Sequence, residues 1–117
     1  MTTTMMKEIN RANASRNYLE HVADKSRMFR AAQLEAALCG DSLPATPDEI
    51  QDAKRLCETI GGEEGEVLYR HYIVNEPYTI IAKEMAYSER QIKRFAARGC
   101  VTMFDMLSQS WKNTVLV

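Results

Sequence analysis

The fold of this 117-residue chain is decided by one stretch, YTIIAKEMAYSERQIKRFAA at residues 78–97. Two short helices that cross steeply need a small residue where one passes over the other, and apolar residues where both face the core. Ala82 is the small residue at the crossing. The apolar positions are occupied by Ile81, Met85, Ile92 and Phe95. This agreement predicts a helix-turn-helix over residues 78–97.

The turn between the two helices has its own sequence requirements. Ser88 predicts the start of the second helix because its hydroxyl can accept a bond from a free backbone amide, and Gln91 completes a capping box. Tyr87 fills an apolar position just before the cap. Ala86 stands where such turns often carry glycine. If the turn needs a positive φ at this residue, alanine costs about 1 kcal/mol.

The polar side chains of the second helix point away from Ile92 and Phe95. Arginine and lysine can pair with guanine edges or phosphate, glutamine with adenine, and glutamate with cytosine. Such a helix can enter the major groove N-terminus first, while the start of the first helix holds phosphate. The predicted DNA-binding residues are Thr79, Lys83, Ser88, Glu89, Arg90, Gln91, Lys93, Arg94 and Arg98. We expect Arg90, Lys93 and Arg94 to make the main contacts.

Charge is distributed unevenly, although the net charge of the chain is only −1. Residues 48–66 hold seven acids and two bases, whereas residues 83–98 hold five bases and two acids. A clustered basic face is the electrostatic signature of a nucleic-acid contact, whatever the net charge. The positive face is therefore expected in the C-terminal half, on the predicted helix-turn-helix.

Working outward, three further helices are predicted. Residues 7–38 show an apolar stripe at helical spacing, formed by Leu19, Val22, Phe29 and Ala36 and interrupted by Arg16, Ser26 and Gln33. A second helix is expected to begin with Thr46 as its N-cap and Pro47 as its first residue, and to end at Gly61-Gly62. A third covers residues 63–73 and ends before Pro77.

These elements predict an all-α fold of four to five helices with a C-terminal helix-turn-helix. Residues 1–41 are expected to form an N-terminal helical segment that is available for oligomerisation. Residues 46–107 would form a helical DNA-binding domain. Residues 108–117 would be a tail whose Trp111 and apolar residues 115–117 fold back on the core or contact a partner.

Sequence patterns argue against several classes of protein: membrane-spanning proteins, secreted proteins, metal-binding proteins and enzymes. No apolar run reaches the length of a membrane span, and the N-terminus lacks the apolar core of a secretory signal. Cys39, Cys57 and Cys100 have no zinc or redox spacing, so we expect small buried thiols in a cytoplasmic protein. His21 and His71 have no ligand set around them and are expected to pack or lie at the surface. No catalytic or cofactor motif occurs, which predicts that the protein is not an enzyme and needs no cofactor.

The segment from Glu63 to Leu107 resembles region 4 of sigma-70-type factors and the sigma-like halves of small phage regulators of the ArpU/RinA type. The resemblance rests on EVLYRHYI at residues 66–73, IAKEM at residues 81–85 and YSERQIKR at residues 87–94. It implies a transcriptional regulator of phage or prophage origin that acts in the bacterial cytoplasm. Ala86 in place of glycine and a less basic stretch after Arg98 depart from that pattern.

The favoured hypothesis is a transcriptional regulator that binds double-stranded DNA, pairs as a homodimer through the N-terminal helix, and could also contact RNA polymerase. Two half-sites give more affinity and specificity than one. One alternative is a packaging protein similar to a small terminase subunit. Another is a domain that binds RNA polymerase or a sigma factor through the acidic face of residues 48–66.

Overall fold

The computed structural model describes residues 3–115 of the chain and the side chains of residues 6–114. The described residues form six α-helices and no β-strand, so the all-α prediction is confirmed. The helices are α1 (Thr3–Cys39), α2 (Asp48–Ile60), α3 (Gly62–Leu68), α4 (Tyr78–Met85), α5 (Glu89–Met103) and α6 (Gln109–Lys112). The sixth is a single turn, too short to give a periodic signal in the sequence.

Shorter helical turns extend this framework. A π-helical turn, Tyr69–Ile73, continues α3, and 3-10 turns occur at Phe104–Met106 and Asn113–Val115. The core lies where α5 packs on α1, α3 and α4. Its fully buried side chains include Leu19, Leu68, Ile81, Ile92 and Met103. One side of α5 is thus packed against α1, α3 and α4.

The first helix is longer than predicted and buries two polar residues. Leu19 and Val22 are buried, as the stripe predicts, and Phe29 is half-buried. Ser26 was expected to interrupt this stripe, yet its hydroxyl is buried and donates to the Ile73 carbonyl at 2.5 Å. Ser15 donates likewise to the Cys100 carbonyl at 2.6 Å. A buried hydroxyl is tolerated when it finds a backbone acceptor, which no sequence period reveals.

The start of the second helix differs from the prediction. Pro47 is the N-cap, with an extended ψ of 148°, and no side chain caps the helix. The Thr46 cap is therefore wrong by one residue. The Pro47 carbonyl accepts from the amides of Ile50 and Gln51, and the Gln51 side chain donates to the Thr46 carbonyl at 2.9 Å. That bond engages the Thr46 backbone, and the Thr46 hydroxyl makes no cap.

Glycines shape the junction between α2 and α3. Gly61 and Gly62 have φ values of 68° and 58°, which is the left-handed region expected at the end of this helix. A Cβ on Gly65 would collide with the carbonyl oxygen of Cys57, so only glycine lets α3 approach α2 this closely. The predicted third helix is confirmed as α3 followed by its π-helical turn.

The end of the described chain packs on α1. The Trp111 ring lies edge-on to Tyr18, with centroids 5.6 Å apart, and 5.3 Å from the ring of His21. Fold-back of Trp111 is thus confirmed. The side chains of residues 115–117, the apolar end of the predicted tail, lie outside the described residues. No helix in residues 3–115 is both long and apolar enough to cross a membrane.

Two of the three cysteines are buried, as expected. Burial raises the pKa of Cys57 to about 12 and that of Cys100 to about 11. Cys39 is exposed at the end of α1, so the expectation of three buried thiols is wrong for this residue. It lies where α1 has run beyond the rest of the fold. All three thiols are free.

Candidate nucleic-acid interface

A three-residue turn joins α4 to α5. Helix α4 ends at Met85, and Ala86 follows with φ 60° and ψ 41°, in the left-handed region. The amide of Tyr87 donates back to the Ala82 carbonyl at 3.0 Å, closing the end of α4. This is the positive φ that the turn was expected to require. An alanine bears the strain of a conformation that glycine adopts freely.

Ser88 caps α5 as predicted. Its backbone is extended, and its hydroxyl oxygen accepts from the Gln91 amide at 3.1 Å. The return bond of a capping box, in which the Ser88 amide would donate to the Gln91 side-chain oxygen, is not formed among the described residues. The box is therefore half complete. Gln91 is half-buried at the edge of the exposed face rather than fully projected into solvent.

The two helices meet through the residues that the sequence assigns to the crossing. Ile81 and Ile92 are fully buried, and Ala82 and Phe95 nearly so. Met85 packs on the same core. Packing among these residues sets the orientation of α5 relative to α4. A fixed orientation is needed if one face of α5 is to contact a ligand.

Tyr87 connects the turn to α3. Its ring lies edge-on to Phe95 with centroids 5.0 Å apart, and its hydroxyl donates to the Glu63 carboxylate at 2.6 Å. That hydrogen bond raises the pKa of Tyr87. Tyr87 is thus more than the apolar residue expected at this position. The pairing with Glu63 joins residues 24 apart, so local pattern gives no signal for it.

Arg70 links the π-helical turn to α4 and was not expected to do so. Its guanidinium donates to both carboxylate oxygens of Glu76, at 2.8 and 3.2 Å, and to Glu84. The hydrogen bonds with Glu76 and then Glu84 raise the pKa of Arg70. A planar guanidinium can serve two carboxylates at once, which a lysine could not do with the same geometry. Arg70 is a positioning residue for α4.

The start of α4 is held by stacking. The His71 ring lies flat on Tyr78, with centroids 3.7 Å apart, and its Nδ1 is 2.9 Å from the Glu76 carbonyl oxygen. The expectation that His71 packs is confirmed. No side chain caps α4, and the Pro77 carbonyl takes the amides of Ile80 and Ile81. Its first amides, at Tyr78 and Thr79, make no hydrogen bond within residues 3–115.

The predicted contact residues lie on the surface, with one partial exception. Gln91 is half-buried, and the others are exposed. The exposed ones are Thr79, Lys83, Ser88, Glu89, Arg90, Lys93, Arg94 and Arg98. Thr79 and Lys83 share one face of α4, four residues apart. Lys93 pairs with Glu89 at 3.5 Å along α5.

Three arginines form a stripe along α5. Arg90, Arg94 and Arg98 follow one another at four-residue steps, so they lie on one face over about 12 Å of helix. This face is opposite Ile92 and Gly99, which are buried. The stripe is long enough to contact several successive phosphates or base edges in one groove.

The arginines of α5 differ from all the others in having no partner. Within residues 3–115, the guanidinium groups of Arg90, Arg94 and Arg98 form no ion pair, hydrogen bond or cation–π contact. Every arginine outside α5 has one. Arg11 stacks over Phe104, Arg16 bonds Asn13, Arg27 bonds Asp24, Arg30 bonds the Ile73 and Val74 carbonyls, Arg55 bonds Asp52, and Arg70 bonds Glu76 and Glu84. The donors of the α5 stripe are therefore available to an external acceptor.

Comparison of the chain with protein-family models, with curated proteins and with solved structures gives no match. The resemblance to region 4 of sigma-70-type factors and to ArpU/RinA-type regulators therefore stays a prediction. A functional assignment depends on the residues of the site itself. Among the described residues, no group of three or more His, Cys, Asp and Glu side chains could hold a metal ion.

Proposed function

We propose that this protein binds double-stranded DNA through the exposed face of α5 and regulates transcription. One observation carries the proposal: Arg90, Arg94 and Arg98 lack an intramolecular partner, while the six arginines elsewhere in the described chain each have one. Guanidinium groups are strong donors that match phosphate and guanine edges bidentately. A stripe of them on a rigid, well-packed helix suits a nucleic-acid contact.

The contact would begin at the N-terminal end of α5. Arg90 and Arg94 would reach into the major groove, and Arg98 would reach the backbone further along the helix. Lys93 would add a phosphate contact after exchanging its Glu89 partner. Gln91, being half-buried, would reach bases only at the edge of the contact, so base choice would depend mainly on the arginines.

Helix α4 would hold the backbone of the DNA. Its amides at Tyr78 and Thr79 have no acceptor within residues 3–115, and the N-terminal end of a helix is favourable for an anion. The Thr79 hydroxyl and the Lys83 ammonium lie on one exposed face of the same helix. A phosphate at this end would fix the position of α5 without reading the sequence.

The proposed biological role depends on the resemblance to region 4 of sigma-70-type factors. A helix-turn-helix similar to region 4 of sigma-70-type factors would place the protein at promoters, as a phage or prophage regulator in a bacterial cytoplasm. It could act on RNA polymerase as well as on DNA. One short recognition helix reads few base pairs, so two copies on two half-sites would supply the affinity and specificity of a regulator.

The proposal is tested by binding of a random-sequence duplex, followed by fluorescence anisotropy at several salt concentrations. We expect affinity that falls steeply with salt, because each neutralised phosphate releases counterions. Arg94→Ala should weaken binding by roughly 1–3 kcal/mol and lower the salt slope by about one. Arg90→Ala should behave in the same way.

Arg55→Ala is the matched control, since it removes the same charge from an exposed site on α2. Its DNA affinity should equal that of the unmodified protein. Absence of binding at low salt would contradict the proposal. Equal losses for Arg94→Ala and Arg55→Ala would also contradict it, because they would reflect net charge rather than the stripe on α5.

A further inference from the structure

The last turns of α1 extend beyond the rest of the fold. Helix α1 spans 37 residues, or about 55 Å, which matches the 57 Å longest dimension of the described chain. All its buried residues lie between Ala14 and Ser26, and Arg30 makes the last long-range hydrogen bonds. None of residues 31–39 is buried, and residues 40–47 are all exposed. This end of α1 is covered by nothing in the described chain.

The exposed apolar side chains concentrate at this end. Met28, Leu34, Leu38 and Leu43 are 67%, 62%, 78% and 61% exposed. No other large hydrophobic residue whose side chain is described exceeds 47%. Residues 31–39 carry a single charge, Glu35. A clustered apolar surface of this kind marks an interaction site more often than a solvated helix face.

Two of these four residues, Leu34 and Leu38, lie on one side of α1 and form a seam with the spacing of helix pairing. Ala31, Leu34 and Leu38 follow at steps of three and four, and Arg27 stands four residues before Ala31. Such steps keep one line of side chains facing a neighbouring helix. Ala31 is small enough to let the two backbones approach. We define residues 27, 31, 34 and 38 as the α1 seam.

The charges around the α1 seam favour a second copy of this chain as the partner and set the direction in which its helix runs. Residues 24–30 hold three bases and one acid, whereas residues 31–41 hold two acids and no base, so the two stretches carry net charges of +2 and −2. Arg27 pairs with Asp24 on its own helix and would exchange that partner in a pair of chains. The last turn of α1 has no basic residue to offset the negative end of the helix dipole. A helix with the same sequence, running the opposite way, places its basic end beside this acidic end. The seam is therefore self-complementary in an antiparallel pair.

We propose that two copies of this chain associate through their α1 seams in an antiparallel, two-fold arrangement. An isologous contact of this kind closes on itself and leaves no free seam. The contact is short, because the seam holds four residues of each chain, against the roughly 20–30 residues a side of a stable interface. The pair is therefore weak in free solution and strengthened when two α5 helices occupy neighbouring half-sites. That last consequence rests on the proposed function; the self-association does not.

The test is sedimentation equilibrium of the full chain without DNA, under reducing conditions, up to about 1 mM protein. We expect a monomer–dimer equilibrium. Leu34→Lys with Leu38→Lys should weaken it at least about tenfold, which corresponds to 1.4 kcal/mol. Met6→Lys with Ile9→Lys is the matched control, because it adds the same charges to exposed apolar sites at the other end of α1. This control should associate like the unmodified protein.

Direction is tested by exchange of charge. Arg27→Glu and Asp41→Lys should each weaken association, and the two together should restore it, because the basic and acidic ends meet across the pair. A chain that stays monomeric, or a Leu34→Lys/Leu38→Lys variant that associates normally, overturns the proposal. Failure of the charge exchange to restore association overturns the antiparallel arrangement.

The same variant separates this inference from the DNA contact. Circular dichroism should confirm that Leu34→Lys/Leu38→Lys is as helical as the unmodified protein, since neither leucine touches the core. Its affinity for a short random duplex should be unchanged. Loss of DNA binding by Arg94→Ala with association intact, and loss of association with DNA binding intact, would establish two independent surfaces.

Discussion

The two sides of α5 follow different rules. On the buried side, the size and shape of a side chain decide whether it fits at positions 92 and 99, because Ile92 and Gly99 both pack against other helices. On the exposed side, the guanidinium groups of Arg90, Arg94 and Arg98 have no hydrogen-bond or ion-pair partner in the described chain. Substitutions on the first side should change the free energy of unfolding, and those on the second should change binding. Stability and DNA binding can therefore be tested by separate substitutions on the same helix.

The largest effect is expected at Ile92, which is fully buried. Ile92→Ala removes three carbon atoms and leaves a cavity between α5 and the core. It should lower the free energy of unfolding by about 2–5 kcal/mol in urea denaturation. Arg94→Ala, two residues away on the exposed side, should change it by less than about 0.5 kcal/mol. Similar losses for both variants would remove the distinction between the two sides.

The next effect comes from adding the same side chain to opposite sides. A Cβ on Gly99 would lie 2.7 Å from Cδ1 of Leu68, so Gly99→Leu overpacks the contact with α3. The cost should be about 1–3 kcal/mol or more, measured by thermal or urea unfolding. Ala97→Leu places the same side chain on the exposed side and should leave the free energy of unfolding nearly unchanged. An equally stable Gly99→Leu variant would contradict the packing described for α5.

A smaller effect is expected at the cap that starts α5. Ser88→Ala removes the acceptor of the Gln91 amide and should lower the free energy of unfolding by about 1 kcal/mol. Ser88→Gly should lower it by only a few tenths, since glycine leaves the helix end open to water. Calorimetric unfolding of the two variants would distinguish them. If neither variant lowers the free energy of unfolding, the hydroxyl does not act as a cap.

The smallest effect runs in the opposite direction. Ala86→Gly relieves the positive φ of 60° and should raise the free energy of unfolding by up to about 1 kcal/mol. Ala97→Gly, in the helical interior of α5, should instead lower it by about 0.5–1 kcal/mol. DNA affinity of Ala86→Gly should stay the same if the turn geometry is kept. Destabilisation at both positions would mean that Ala86 is not strained.

Much of the candidate site follows from local sequence. Ser88, Ala82 and Ile92 occupy the predicted positions because caps, turns and helical faces depend on residues within four of each other. The same rule failed at Thr46, where Pro47 became the cap and the Gln51 side chain took the Thr46 carbonyl. Two helix starts with similar signals thus differ in which residue becomes the cap.

Long-range partners could not be predicted. Ser26 finds the Ile73 carbonyl and Tyr87 finds Glu63 only because the fold brings distant segments together. Arg70 acts between two carboxylates on different elements. A sequence period records which face of a helix is apolar, but not which free carbonyl or carboxylate that face will meet.

By itself, the sequence determined the all-α class, the turn at residues 86–88, and the presence of arginines on the outer face of α5. Helical spacing and capping are local, so they are present before the chain folds. Only the tertiary structure decided that Arg30 and Arg70 meet acceptors on other elements, whereas the guanidinium groups of Arg90, Arg94 and Arg98 meet none in the described chain. The tertiary structure also decided that Leu34 and Leu38 are exposed, because α1 extends beyond the part of the helix that packs on the core.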